Sequence, residues 1–205
     1  KKIRMEKIYT SLGLMSGTSM DGIDASIIKS NGEDKYEVVF NQYFKYNDEI
    51  YEELVHIKNK INSPKDLKVK SIALADIERK ITLFHAFACK KIISEYSSNI
   101  DLIGFHGQTI FHNAEEKISK QLGNAKLLSE LLKKKVIYNF REKDMLNGGQ
   151  GAPLAPIFHQ LIINQNQIGV PTCVLNIGGI ANITLIASKN SSDLKSYDIG
   201  PGNCL

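Results

Sequence analysis

Two carboxylates, Asp21 and Asp24, follow a turn built from Gly17, Thr18 and Ser19, with Met20, Gly22 and Ile23 filling the stretch between. Backbone N–H groups in such a turn can converge on an anion, and the two hydroxyls add donors. Oxygen ligands such as Asp21 and Asp24 suit a hard cation like Mg²⁺, held directly or through water. Gly17 and Gly22 are expected to supply positive φ for a tight reversal. Phosphate with a metal is the chemistry of nucleotide handling. The stretch spells neither G-x-x-x-x-G-K-[ST] nor G-x-G-x-x-G, and taken alone it reads equally well as a plain β-hairpin turn.

The elements around this turn come from apolar periodicity and turn residues. Residues 8–15 and 23–30 read as strands flanking it, and residues 36–46 as a third, antiparallel to the second. Residues 48–59 have helical spacing with Asn47 as N-cap, and Ser63-Pro64 opens a long helix ending near Ser97. Residues 100–105 form a short strand running into a polar loop at 106–112. A helix at 124–132, a strand at 136–140, a Gly-rich loop at 148–153 and a helix at 154–163 follow. After a polar linker at 164–169, strands at 172–176 and 181–188 flank Asn176-Ile177-Gly178-Gly179, and a third strand precedes Asp198-Ile199-Gly200-Pro201-Gly202-Asn203. The second strand–glycine loop–strand unit repeats the plan of the first, so two units would face each other, each offering a hairpin loop. Residues 1–168 make the first unit and residues 169–205 the opening strands of a second. With no helix on its apolar face, that second sheet is expected to expose Val174, Leu175, Ile183, Leu185 and Ile186.

Composition narrows the function classes. The net charge of +4 comes from scattered lysines, and Lys133-Lys134-Lys135 suits the end of a helix, with no aromatics interleaved as a nucleic-acid surface would need. Cys89, Cys173 and Cys204 are odd in number and far apart, which argues against a disulfide framework and shows no Cys/His metal spacing. No apolar run approaches a membrane span, and the apolar stretch after Lys7 breaks at Gly13, too early for a secretory segment. A cytoplasmic enzyme with Met5 as its natural start is the expectation.

Five polar or glycine-rich clusters at strand ends, at 17–24, 106–112, 141–152, 176–182 and 198–203, are hard to explain as chance loops. Their wording, GLMSGTSMDGIDAS, GFHGQTIFH, QLGN, GGQGAPLAP, NIGGIANIT and YDIGPGN, resembles the anhydro-N-acetylmuramic acid kinase family from residue 13 to residue 203. The resemblance implies an α/β fold of the actin-like ATPase (ribonuclease H-like) type, a mixed sheet with flanking helices. It implies ATP and Mg²⁺ as cofactors and 1,6-anhydro-N-acetylmuramic acid as substrate. That sugar is opened by water and phosphorylated on O6, a step of cell-wall recycling. By the same resemblance Asp198 deprotonates the water, with a turn-capping aspartate as the bland alternative. Residues 17–24 form the first phosphate loop, and Asn176, Gly178 and Gly179 the second. His106, Gln108, Thr109, Gln121, Asn124, Arg141, Gly200 and Asn203 contact the sugar, with Arg141 on its lactyl carboxylate. Gln121 and Asn124 serve equally well as helix caps, and His112 and His159 are weaker ligand candidates.

Two positions depart from the family's wording: its usual Asp-Phe-Arg reads Asn139-Phe140-Arg141, and the position that follows, often basic there, is Glu142. The resemblance covers about the first half of the family's chain. Three readings stay open: a kinase half that turns over only with the remainder supplied, an inactive remnant, and a sugar- or phosphate-binding module. A homodimer and a separately encoded C-terminal half are the protein partners these readings allow; nucleic acid and membrane are not among them.

Overall fold

Buried and exposed residues alternate along the first strand, β1 (Tyr9–Ser16): Leu12, Leu14 and Ser16 point into the interior while Gly13 and Met15 point away. The period of two marks a strand with two differently used faces. The computed structural model describes residues 7–96, 99–190 and 193–202. β2 (Gly22–Ser30) and β3 (Tyr36–Lys45) complete the expected antiparallel meander. β4 (Leu102–Asn113) lies parallel to β1, and with β5 at Ile118–Leu122 the order is β3-β2-β1-β4-β5. β6 (Lys135–Ile137) pairs in parallel with the start of β4, and β5 pairs antiparallel with its end. This mixed sheet with helices on one face is the actin-like fold the motifs imply.

One face of the sheet carries the core. Leu12, Ile23, Ile27, Ile103, Phe105 and Ile110 pack against α1 (Asp48–Lys58), α3 (Ser71–Glu95) and α4 (Ala125–Leu132). α3 buries Leu74, Ile77, Ile81, His85, Cys89 and Ile92, a stripe at helical spacing. Asn47 caps α1 by accepting from the Ile50 N–H at 2.9 Å. The opposite sheet face, carrying Met15, Asp24 and His106, looks toward the functional cavity.

Several expectations need correction. The long helix starting at Pro64 is two helices, α2 (Pro64–Val69) and α3, separated at Lys70, whose ψ of 19° leaves the helical range. α2 buries none of its residues fully, and only Leu67 packs partly against the core. Residues 106–112 are strand, because β5 pairs with the stretch from Gln108 onward across a bulge between Thr109 and Phe111. Asp198 and Gly200 likewise lie inside a strand, β9 (Leu194–Pro201). Neither Gly17 nor Gly22 has positive φ; Met20 takes that conformation, at 58°. Gly22 is required for a different reason: a Cβ there would collide with the Phe44 carbonyl and the Tyr43 ring.

The second sheet is a meander of β7 (Thr172–Ile177), β8 (Ile180–Ile186) and β9. The short helix α5 (Phe140–Leu146) and then α6 (Pro156–Gln165) precede it. α6 packs on β8 and β9, so one face of this sheet is covered, contrary to expectation. Ile186 is buried on that face, while Leu175 remains 54% exposed on the other. α6 also ties to the first sheet: the Gln165 side chain exchanges two hydrogen bonds with the Tyr36 backbone at 2.8 and 2.9 Å. The Phe158 ring meets Tyr36 edge-on at 5.0 Å.

Candidate functional site

Residues opposite one another across three antiparallel strands share a face, and register places Asn176, Asn182 and Asp198 in one row. All three line a cavity of about 610 Å³ between the two sheets. Across it stand Gly17, Thr18, Ser19 and Asp24, with His106, Thr109 and His112 from β4 and Arg141 from α5. Gly178 and Gly179 bring the second glycine turn to the same space. The two turns and the carboxylate Asp198, far apart in sequence, thus face a common volume.

The first turn is held from behind. Gln108, wholly buried, donates its side-chain N–H to the Gly17 carbonyl at 2.8 Å. The Tyr46 N–H donates to the Asp21 carbonyl at 2.8 Å, and the Ser19 hydroxyl to the Asp21 carboxylate at 2.5 Å. Ser16, just before the turn, belongs to a buried chain that sequence reading missed. His85 Nδ1 lies 2.8 Å from the Ile81 carbonyl, so that nitrogen carries the proton and Nε2 accepts from Ser16 at 3.3 Å. Tyr46 in turn donates to Ser16 at 3.0 Å. Burial pushes His85 down to about 4, keeping it neutral, and raises the Tyr46 phenol. A hydroxyl ending a strand beside a helix-borne histidine leaves no sequence pattern.

Asp24 faces the cavity, while the carboxylate of Asp21 is engaged by Ser19 and by the Tyr43 hydroxyl. Burial, then the charge of Asp21, raises the Asp24 carboxyl above the usual range. No group of three or more His, Cys, Asp or Glu is placed to hold a metal among the described residues. One carboxylate with neighbouring hydroxyls, all oxygen, fits a hydrated Mg²⁺ carried mainly by a polyphosphate, not one caged by protein.

On the sugar-side positions, Arg141 is partly buried and its ordinary pKa is lowered by desolvation, an effect Asp198 opposes. His106 accepts from Arg141 Nε at 2.8 Å, and burial followed by the Arg141 charge pushes it down to about 4. His112 lines the cavity and hydrogen-bonds the Ser119 hydroxyl at 3.0 Å. Gln121 reaches the back of Thr109, donating to its hydroxyl at 3.2 Å. Asn124 caps α4 through the Leu127 N–H at 2.9 Å, and neither Gln121 nor Asn124 borders the cavity. Gly200 also lies off it, while Gly202 packs on the second glycine turn, donating to the Gly179 carbonyl at 3.0 Å. A Cβ at Gly202 would collide with the Gly178 carbonyl. Asn203 lies outside the described residues. His159 serves the second sheet, bonded to Thr184 at 2.8 Å. The two departures from the family wording meet each other: Asn139, at φ 60°, donates to the Glu142 carboxylate at 2.7 Å.

Comparison with known proteins identifies the family. The family model described as anhydro-N-acetylmuramic acid kinase matches residues 9–205. A protein of that name from Pelagibacter ubique is 67% identical over 201 residues, covering 98% of this chain and 54% of the relative. Those of Agrobacterium fabrum and Rhizobium etli are 37% and 35% identical, each over 98% of this chain and 55% of the relative. The chain therefore spans about half the length of the relatives it matches. With its mixed sheet, its paired glycine turns and this match along nearly its whole length, the chain belongs to the anhydro-N-acetylmuramic acid kinase family.

Proposed function

We propose that this chain carries the sugar pocket and both phosphate-facing turns of an ATP-dependent kinase. Its substrate would be 1,6-anhydro-N-acetylmuramic acid and its product N-acetylmuramic acid 6-phosphate. The observation that carries this reading is the single cavity shared by Asp198, Arg141 and the two glycine turns. Asp198 takes a proton from water as the water oxygen bonds to C1 of the sugar. The C1–O6 bond breaks and its electron pair stays on O6, which attacks the γ-phosphorus. The bond from that phosphorus to the β-phosphate bridging oxygen breaks, ADP leaves with the electron pair, and Asp198 releases its proton to solvent.

The turns at 17–19 and 178–179 hold the triphosphate from opposite sides, with Thr18 and Ser19 as hydroxyl donors. Mg²⁺, when bound, would neutralise phosphate charge, and Asp24 is the residue that would hold it through water. Arg141 orients the sugar by its carboxylate, and residues 169–205 supply the first strands of the second unit. The test uses the chain extended to the length of its relatives. ³¹P NMR is expected to show a sugar 6-phosphate together with ADP, and H₂¹⁸O is expected to label C1. Asp198→Asn should lower turnover at least a thousandfold. ATP hydrolysis without sugar phosphate would overturn the reading; sugar binding without turnover would leave a binding module.

A further inference from the structure

Arg141 enters the cavity with two of the five N–H groups of a guanidinium already used. Its Nε–H donates to His106 Nε2 at 2.8 Å, and Nη1 donates to the Gly151 carbonyl at 2.7 Å. His106 can accept there only if its proton sits on Nδ1. That nitrogen lies 2.7 Å from the Gly107 carbonyl, which can only accept. The two contacts select one neutral tautomer, and burial beside a cation keeps the ring neutral. Gly107 itself has φ +73°, and a Cβ there would collide with the Leu122 carbonyl, so the backbone presenting that carbonyl is fixed by β5.

We infer that His106 is a positioning residue: as an Nδ1–H tautomer it holds Arg141 so that only the Nη1/Nη2 end of the guanidinium is offered to a carboxylate. Side-on binding through Nε and Nη2 is closed, because Nε is committed to His106. Recognition is therefore end-on, and it discriminates an acidic anhydro sugar from the same sugar without its acid side chain. This rests on the substrate reading above.

The test measures calorimetric binding of two sugars to the chain extended to the length of its relatives: 1,6-anhydro-N-acetylmuramic acid and 1,6-anhydro-N-acetylglucosamine, which lacks the carboxylate. The unaltered chain should prefer the acid at least tenfold. His106→Ala should remove most of that preference, weakening the acid sugar several-fold more than the neutral one. Adding His106→Ala to Arg141→Ala should cost nothing further, because the two residues act as one unit. His106→Gln, whose amide oxygen can accept at the Nε2 position, should recover part of the preference. Equal weakening of both sugars, or additive losses, would overturn the inference. ¹⁵N NMR of the histidines decides independently of any sugar: His106 should carry its proton on Nδ1, and Arg141→Ala should shift its Nε2 resonance. A proton on Nε2 defeats the inference, whereas the correct tautomer with neither sugar bound upholds the positioning and defeats the substrate reading.

Discussion

Replacing Ser16 by alanine cuts the buried chain beneath the first turn at its middle link. Tyr46 then keeps an O–H donor and His85 an Nε2 acceptor, both 2% exposed or less, with their partner gone. Each stranded group costs about 1–3 kcal/mol, so Ser16→Ala should destabilise by about 2–6 kcal/mol. Tyr46→Phe removes the end of the chain instead, leaving Ser16 still donating to His85, and should cost only about 1 kcal/mol. Urea unfolding followed by circular dichroism reads both, as shifts in midpoint at unchanged slope. Against a total stability of about 5–15 kcal/mol the difference is easily resolved. A Ser16→Ala loss below that of Tyr46→Phe would refute the proton order Tyr46 to Ser16 to His85.

Other outcomes follow from the same geometry. His85 and His106 are both held near 4, below the ordinary histidine value, so the unfolded chain binds their protons first as pH falls. Stability should be intact above about pH 6.5 and drop between there and about pH 4, by about 3 kcal/mol for His85 alone, in urea midpoints taken across that range. Asn139→Asp places a carboxylate against Glu142 and should cost about 0.5–1 kcal/mol, with the loss shrinking in high salt. Gly22→Ala drives a methyl into the Phe44 carbonyl and should cost about 2 kcal/mol or more by thermal unfolding. Gly32→Ala, at positive φ but with open space around it, should cost only about 1 kcal/mol.

The meander, α1 with its Asn47 cap, and the repeat of a glycine turn were legible because each rests on local signals. Strand alternation, a capping side chain and turn residues are all short-range. The extension of β4 through His112 was not legible, since it depends on β5, whose residues Ile118–Leu122 carry only a weak alternating pattern. Met20 at positive φ defeats the usual inference from glycine, because the turn's shape is imposed by Gln108 and Tyr46 from outside it. In the site, Asp24, Arg141, Asp198 and the two turns were visible as residue types in suggestive loops. Their convergence depends on sheet packing. Gln108 and His106 read as ligand groups by type, yet their hydrogen bonds go to the Gly17 backbone and to Arg141, a division of labour that only packing determines. Asn182 was overlooked because a strand interior gives no reason to select it; its row with Asn176 and Asp198 appears only when register is known.

That row carries a consequence for errors in folding. Strand faces alternate with a period of two, so a slip of one residue exchanges the faces of a whole strand. The neighbouring row on the reverse face is Leu175, Ile183 and Tyr197. A misregistered copy would line the cavity with those apolar side chains and lose the carboxylate and both amides at once. The bulge between Ala181 and Asn182 pins the pairing beside this row and seats Ile199 as the extra residue. A slip in the small sheet thus removes Asp198, Asn176 and Asn182 from the cavity together, while the turn at 17–19 on the first sheet stays in place.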